Sequence, residues 1–116
     1  MYFQQAAAKS AMIEALARYW HGVGEGGRGE SIWLGWFLYK TLEEFIPVAK
    51  QRNDANRVEA WSERLRTLKA GLEAQGWDGQ WYRRAFYDDG AAMGSSMNEE
   101  CRIDAIAQSW AVLSGA

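Results

Sequence analysis

The sequence has one cysteine, one proline and one histidine among its 116 residues. The lone Cys101 excludes a disulfide within the chain, and it has no neighbouring Cys or His with which to build a metal site. Thirteen basic and fifteen acidic residues, with no basic stripe, argue against a nucleic-acid partner. The longest apolar cluster is too short to span a bilayer, and the N-terminus lacks the pattern of a signal peptide. A soluble, cytoplasmic protein without membrane contact is therefore expected.

Tryptophan, by contrast, is abundant, with seven residues in a chain of single-domain length. The stretch 77–90, WDGQWYRRAFYDDG, combines two Trp, two Tyr and one Phe with two Arg and three Asp. An indole ring suits both a packed core and the wall of a pocket for a flat, polar ligand such as a sugar. Two interpretations follow. The stretch is a strand pair whose Arg83 and Arg84 bind Asp88 and Asp89, or it is the wall of a saccharide site.

Hydrophobic periodicity predicts four helices. They are a helix at 4–20, an inner helix at 30–50, an outer helix at 54–75 and a helix at 102–114. Ser31 is the expected N-cap of the inner helix, and Asn53 or Asp54 that of the outer helix. The inner helix is apolar around nearly its whole circumference, which indicates burial on most sides, and Pro47 should kink or loosen its last turns.

A short β-strand pair is predicted at 80–88, where the side chains alternate weakly before the turn dipeptide Asp89-Gly90. The expected fold class is mainly α, with one such strand pair. An inner helix followed by an antiparallel outer helix is the unit of a double-layer helical barrel or of a helical bundle. Residues 1–116 are interpreted as a single partial domain.

The helix predicted at 102–114 carries candidate binding residues. Asp104 and Gln108 lie four residues apart on one face of an otherwise apolar helix. Buried polar side chains need hydrogen-bonding partners, and sugar hydroxyls are natural ones. Glu99 and Glu100 precede this helix, where a paired-carboxylate mechanism could recruit one of them. Helix capping and solvation of the loop are the alternative roles for these two side chains.

Three segments together resemble one enzyme family: GEGGRGESIWLGWFLYKTL, WDGQWYRRAFYDDGAAMGS and NEECRIDAIAQSWAVLSGA. Their order and spacing are similar to the inverting disaccharide phosphorylases of the cellobiose and chitobiose type. Within that family they look most like the phosphorylase-like region of cyclic β-1,2-glucan synthases. The resemblance covers roughly residues 22–116. It implies an (α/α)6 barrel that cleaves a β-glucosidic bond, with inorganic phosphate as co-substrate, no other cofactor and one Asp as general acid.

The resemblance also implies a set of residues that line or support a sugar site. They are Glu100, Asp104, Gln108, Trp110, Tyr82 and Arg83. By this analogy Trp110 packs beneath the three polar side chains, and Tyr82 and Arg83 belong to the strand pair that shapes the rim. The expected ligand is a glucan or an oligosaccharide.

One part of the family pattern is missing. The general acid of the family lies in an Asp-Trp-Asn-Asp-Gly-Met motif, but the residues before Val23 read ALARYWHG. No catalytic residue is therefore assigned, and the chain is interpreted as an enzyme fragment that is inactive alone. Its apolar inner helix would be completed by self-association, through exchange of an identical element between copies. Two alternatives stay open: a sugar-binding or oligomerising module without catalysis, and a helical assembly with no ligand.

Overall fold

The computed structural model describes residues 26–116, and the helix predicted at 4–20 lies outside these residues. The described part forms seven elements in chain order. They are strand β1 (Glu30–Ser31), helix α1 (Ile32–Gln51), helix α2 (Ala55–Gly71), a π-helical turn (Leu72–Gly76), strands β2 (Ala85–Phe86) and β3 (Ala92–Met93), and helix α3 (Ala105–Ser114). The fold is therefore mainly helical, with one small antiparallel sheet. No helix within residues 26–116 is long and apolar enough to cross a membrane.

Helix α1 begins at Ile32 and not at residue 30, because the two preceding residues belong to β1. Glu30 and Ser31 pair antiparallel with β2, and the Ile32 N–H donates to the Arg84 carbonyl at 3.1 Å. Ser31 occupies the N-cap position, but its side chain makes no capping hydrogen bond. The backbone groups of Glu30 and Ser31, which were predicted to begin the helix, therefore form hydrogen bonds in the sheet instead. At its other end the helix continues through Pro47 to Gln51.

Helix α2 follows α1 across a short turn. Asp54 is its N-cap, with the carboxylate accepting from the Arg57 N–H at 3.1 Å, whereas Asn53 lies in the turn with a φ of 55°. No residue of α2 is fully buried, as expected for an outer helix. The regular helix ends at Gly71, whereas the predicted helix ran on to residue 75. Leu72–Gly76 forms the π-helical turn instead.

The hydrophobic core lies where the start of α1, the π-helical turn, the β-sheet and α3 meet. Its buried centre is Ile32, Trp36 and Leu72. Trp36 is only 1% exposed, and its ring meets that of Tyr82 edge-on at a centroid distance of 5.2 Å. The start of α1 is therefore its best buried part.

The rest of α1 is more exposed than its all-round apolar sequence predicts. Among the described residues, α1 packs against α2, the π-helical turn, β2 and α3. These neighbours leave a row of large apolar side chains between 38% and 55% exposed: Leu34, Phe37, Leu38, Phe45 and Val48. Burial on most sides is therefore not reached within the described part of the chain, whose elements cover α1 only in part, and the apolar face expected of a single copy is exposed.

The residues predicted as a strand pair at 80–88 do not pair with one another. Only Ala85–Phe86 is a strand in that range, and it is the middle strand of the order β1-β2-β3. The turn at Asp89-Gly90 is confirmed, with the Tyr87 N–H donating to the Ala91 carbonyl at 2.9 Å and Gly90 at a φ of 87°. Strands of two residues are too short for alternation to reveal which segment pairs with which.

Candidate functional site

Asp88 holds the glycine-rich turn that precedes β1. Its carboxylate accepts the N–H groups of Gly26 at 2.6 Å, Arg28 at 3.0 Å and Gly29 at 2.6 Å. The bonds from Gly26 and Gly29 are the main reason that the pKa of Asp88 lies below its usual value. Asp88 therefore anchors a backbone segment instead of pairing with an arginine of the WDGQWYRRAFYDDG stretch.

Arg84 pairs with Asp104, the residue immediately before α3. Its Nε lies 3.1 Å from Asp104 Oδ2, and its guanidinium lies 5.7 Å from the centre of the Trp33 ring. The other carboxylate oxygen of Asp104 accepts the Ile106 N–H at 3.0 Å, which makes Asp104 the N-cap of α3. The predicted pairing of the arginines with Asp88 and Asp89 is therefore wrong. Asp104 instead joins α3 to Arg84, which immediately precedes the hairpin formed by β2 and β3.

Gln108 makes the second link between α3 and the segment before β2. Its Oε1 accepts the Tyr82 N–H at 2.9 Å, and its Nε2 donates to the Tyr82 carbonyl at 2.6 Å. One amide side chain thus satisfies both backbone groups of one residue, as a neighbouring strand would. The polar face formed by Asp104 and Gln108 is used to hold the hairpin in place.

The side chain of Tyr82 turns toward the π-helical turn. Its hydroxyl donates to Glu73 Oε1 at 2.8 Å. Burial, followed by the bond to the Glu73 carboxylate and by its charge, raises the pKa of Tyr82 to about 12. Tyr82 is therefore a neutral hydrogen-bond donor throughout the physiological pH range.

The three remaining candidates have different surroundings. Arg83 Nη1 donates to the carbonyls of Gln75 at 2.7 Å and Trp77 at 3.2 Å. Trp110 packs edge-on against Phe37 at 5.0 Å, between α3 and α1. Glu100 is exposed in the loop before α3. The structure thus brings three of the six predicted residues, Tyr82, Asp104 and Gln108, into contacts between α3 and the segment before β2, whereas Arg83, Trp110 and Glu100 lie outside these contacts.

A cleft of about 330 Å³ opens beside these contacts. Its lining includes Trp36, Glu73, Trp77, Trp81, Tyr82 and Gln108. Only the last two were among the predicted binding residues. The spacing of the tryptophans in WDGQW could have indicated Trp77 and Trp81, but Trp36 and Glu73 come from distant segments that meet only in the fold. Within residues 26–116, no group of three or more His, Cys, Asp or Glu side chains could hold a metal ion.

Comparison with known proteins identifies the family of this chain. The model of the glycosyl hydrolase 94 superfamily catalytic domain matches residues 5–116. The chain belongs to the glycosyl hydrolase 94 superfamily. The resemblance drawn from the three sequence segments is thereby confirmed.

Relatives within the glycosyl hydrolase 94 superfamily are much longer proteins. The chain is 57% identical, over 93 residues, to the cyclic beta-(1,2)-glucan synthase NdvB of Rhizobium meliloti (strain 1021), a match that covers 80% of this chain and 3% of that protein. It is 38% identical over 96 residues to the solabiose phosphorylase of Paenibacillus borealis, covering 82% of this chain and 12% of the relative. The N,N'-diacetylchitobiose phosphorylase of Vibrio furnissii is 27% identical over 110 residues, or 93% of this chain and 14% of the relative.

Replacing Asp88 by asparagine should loosen the glycine-rich turn of this glycosyl hydrolase 94 chain. The amide keeps one acceptor oxygen but loses the second oxygen and the negative charge, so at least one charge-assisted bond to the turn is lost. We expect trypsin to cut after Arg28 roughly tenfold faster, because local opening becomes easier by about the strength of one such bond. Mass spectrometry of the peptide that ends at Arg28 measures this rate.

The matched control is Asp89→Asn. The Asp89 side chain accepts the Ala91 N–H through one oxygen, which an asparagine oxygen can replace. Because the folded pKa of Asp88 is lowered from 3.8, its stabilising bonds are complete above that value and are lost only as the pH falls through the lowered pKa. Digestion near neutral pH therefore compares a fully ionised Asp88 with its amide. Equal rates of cleavage after Arg28 in the unmodified chain, Asp88→Asn and Asp89→Asn would contradict the anchoring role of Asp88.

Proposed function

We propose that this chain is a saccharide-binding portion of a catalytic domain that processes β-glucosidic bonds. Membership of the glycosyl hydrolase 94 superfamily supports the proposal, as do the glucan synthase and phosphorylases among its relatives. In the complete domain, α1 would be an inner helix and α2 an outer helix of an (α/α)6 barrel. Phosphorolysis with inorganic phosphate, or cyclic glucan synthesis, would be the activity of the whole enzyme.

The observation that carries the proposal is the junction between the hairpin and α3. Two residues one helical turn apart, Asp104 and Gln108, each hold a residue of the WDGQWYRRAFYDDG stretch through short polar contacts. These contacts fix Arg84 and Tyr82 relative to α3, which is the rigid support that a binding surface requires. We propose that Arg83 and Glu100 contact sugar hydroxyls at the rim of this surface, with Trp110 as its support.

The chain by itself should bind saccharides without cleaving them. Its sequence contains no Asp-Trp-Asn-Asp-Gly-Met motif, so the general acid that the resemblance implies has no counterpart in it. The glycosidic oxygen, which departs with the leaving sugar, needs a proton from a positioned acid, and that acid contributes typically about 10²–10⁴-fold to the rate. The experiment is to incubate the chain with inorganic phosphate and either cellobiose or a β-1,2-linked glucooligosaccharide, while following saccharide binding by NMR.

We expect saturable binding and no release of glucose 1-phosphate above that of a protein-free sample. Phosphorolysis that copurifies with the chain and vanishes in Asp104→Asn would contradict the absence of catalysis. Failure to bind any of the saccharides would instead contradict the binding function and favour a helical module without a ligand.

Self-association is a second candidate function, favoured by the exposed apolar side chains. Besides the row on α1, α3 presents Val112 and Leu113 at 80% and 61% exposure. Apolar surface of this extent is typical of an interface, because its removal from water is favourable. We infer that a second copy of the chain covers it, and domain swapping is one route to such an assembly.

Light scattering on a size-exclusion column tests this second candidate. The expected mass is at least twice the 13.1 kDa of one chain, and it should fall toward the monomer in Phe45→Glu, which places a charge on the exposed row. Glu59→Lys, on the polar side of α2, is the control for added charge at an exposed site and should not change the mass. A monomer at every concentration of the unmodified chain would rule out this assembly.

A further inference from the structure

The segment 94–102, between β3 and α3, is closed at its base by one tryptophan. The indole N–H of Trp81 donates to the Gly94 carbonyl at 3.0 Å and to the Arg102 carbonyl at 2.8 Å, so both ends of the segment meet at this side chain. We call the segment the 94–102 loop. Compact surface loops whose ends lie close together are frequently functional, because a fixed base can hold exposed residues in one arrangement.

Asp78 holds the first half of the 94–102 loop. Its Oδ2 accepts the Ser96 N–H at 2.7 Å and the Ser95 hydroxyl at 2.8 Å, and Ser95 is only 1% exposed. The bond from the Ser96 N–H is the main reason that the pKa of Asp78 lies below its usual value. The Asp78 N–H donates to the Trp81 carbonyl at 3.0 Å, so the two residues that hold the loop belong to one tight turn.

Two side chains of the 94–102 loop complete this network. The Asn98 amide accepts the Ser95 N–H at 2.8 Å and donates to the Ala92 carbonyl at 2.9 Å. The Arg102 guanidinium donates to the Ser96 carbonyl through Nε at 3.1 Å and Nη2 at 2.8 Å. Ser95 and Ser96 are therefore held from both sides, by Asp78 and by the loop itself.

Glu100 depends on this network for its position. Glu99 and Glu100 are exposed, and neither side chain makes a hydrogen bond to a residue that the structure describes. The next residue, Cys101, has a φ of 49°, which is uncommon for a residue other than glycine. A backbone of this kind persists only where surrounding contacts enforce it. The course of the chain at Glu100 is therefore set by contacts elsewhere in the loop.

We propose that Asp78 is the positioning residue of Glu100, because it fixes the loop that presents the Glu100 carboxylate to the saccharide. The inference rests on the proposed function, which assigns a sugar contact to Glu100. Asp78 acts through Ser95 and Ser96 and does not touch the ligand itself. A loop that is ordered before binding avoids the loss of conformational freedom that otherwise weakens affinity.

The test is a double-mutant cycle in the 116-residue chain. NMR titration with cellobiose and with a β-1,2-linked glucooligosaccharide compares the unmodified chain, Asp78→Ala, Glu100→Gln and the double variant. We expect each single change to weaken binding roughly tenfold, and the double variant to bind about as well as either one. Asp78→Asn keeps an acceptor oxygen and should recover part of the affinity. If Asp78 affected binding independently of Glu100, the two losses would multiply.

Amide hydrogen exchange provides a second measurement that needs no ligand. The Ser96 amide should exchange roughly tenfold faster in Asp78→Ala, since its acceptor is removed. Ser95→Ala removes only the hydroxyl bond to Asp78, so it should have a smaller effect of the same sign on affinity and exchange, and it provides the test if Asp78→Ala does not fold. Asp89→Asn, in the turn between β2 and β3, is the control and should change neither measurement.

The outcomes separate this inference from the proposed function. Saccharide binding that is unchanged in Asp78→Ala, or losses that multiply in the double variant, would overturn the positioning role and leave the proposed function standing. Unchanged exchange at Ser96 in Asp78→Ala would show that Asp78 does not fix the loop. Absence of saccharide binding by the unmodified chain would overturn the proposed function together with the role of Glu100.

Discussion

Replacing Gly94 by alanine is expected to lower the free energy of unfolding by about 3 kcal/mol. Gly94 has a φ of 70°, in the left-handed region where a Cβ atom is unfavourable. An added Cβ would also lie 2.8 Å from the Cβ and 3.0 Å from the backbone nitrogen of Arg84. That nitrogen donates to the Met93 carbonyl at 2.8 Å, so neither chain segment can move away without breaking the hairpin.

The matched control is Gly90→Ala in the turn of the same hairpin. Gly90 has a φ of 87°, but an added Cβ there meets no atom within 4 Å. This change should cost only about 1 kcal/mol, since it carries the conformational penalty without the collision. Urea unfolding of the two variants measures the difference. Equal destabilisation would show that the close approach at Gly94 is relieved without cost.

The Gly94→Ala change should also disturb the cleft. The Gly94 carbonyl accepts the Trp81 indole N–H, so a shift of this backbone segment releases one of the two bonds that fix the ring. The indole signal of Trp81 is therefore expected to move in Gly94→Ala and to stay in place in Gly90→Ala.

Replacing Gln108 by leucine is expected to cost about 2–3 kcal/mol. Leucine is similar in size, but it leaves the partly buried Tyr82 N–H and carbonyl without their partners. Asp104 would then be left as the main polar contact between α3 and the hairpin through its pairing with Arg84. Urea unfolding followed by circular dichroism measures the loss.

Two further substitutions show whether the Gln108 amide acts through both of its atoms. Gln108→Glu can still accept the Tyr82 N–H but cannot donate to the Tyr82 carbonyl while ionised, so its stability should lie below the unmodified chain. Gln75→Leu changes an exposed glutamine whose side chain makes no hydrogen bond in the described structure, and should cost less than about 0.5 kcal/mol. A Gln108→Leu chain as stable as Gln75→Leu would contradict the paired contact.

Local sequence patterns determined the superfamily of this protein and the positions of its helices, of one helix cap and of one turn. The three family segments identified the superfamily, and the 3.6-residue periodicity located α1, α2 and α3 to within a few residues. Asp54 and the turn at Asp89-Gly90 were also found, because a cap and a turn depend on residues next to one another in the chain.

Only the tertiary structure decided which distant groups meet. Asp88 anchors a turn some 60 residues earlier in the chain, and Arg84 pairs with Asp104 and not with its near neighbours Asp88 and Asp89. Tertiary packing also decided three other features. They are the register of the two-residue strands, the exposure of the apolar row on α1 and the cleft around Trp36. Each depends on long-range packing, in which charge, hydrogen-bonding capacity and shape choose among many partners that the sequence leaves equally available.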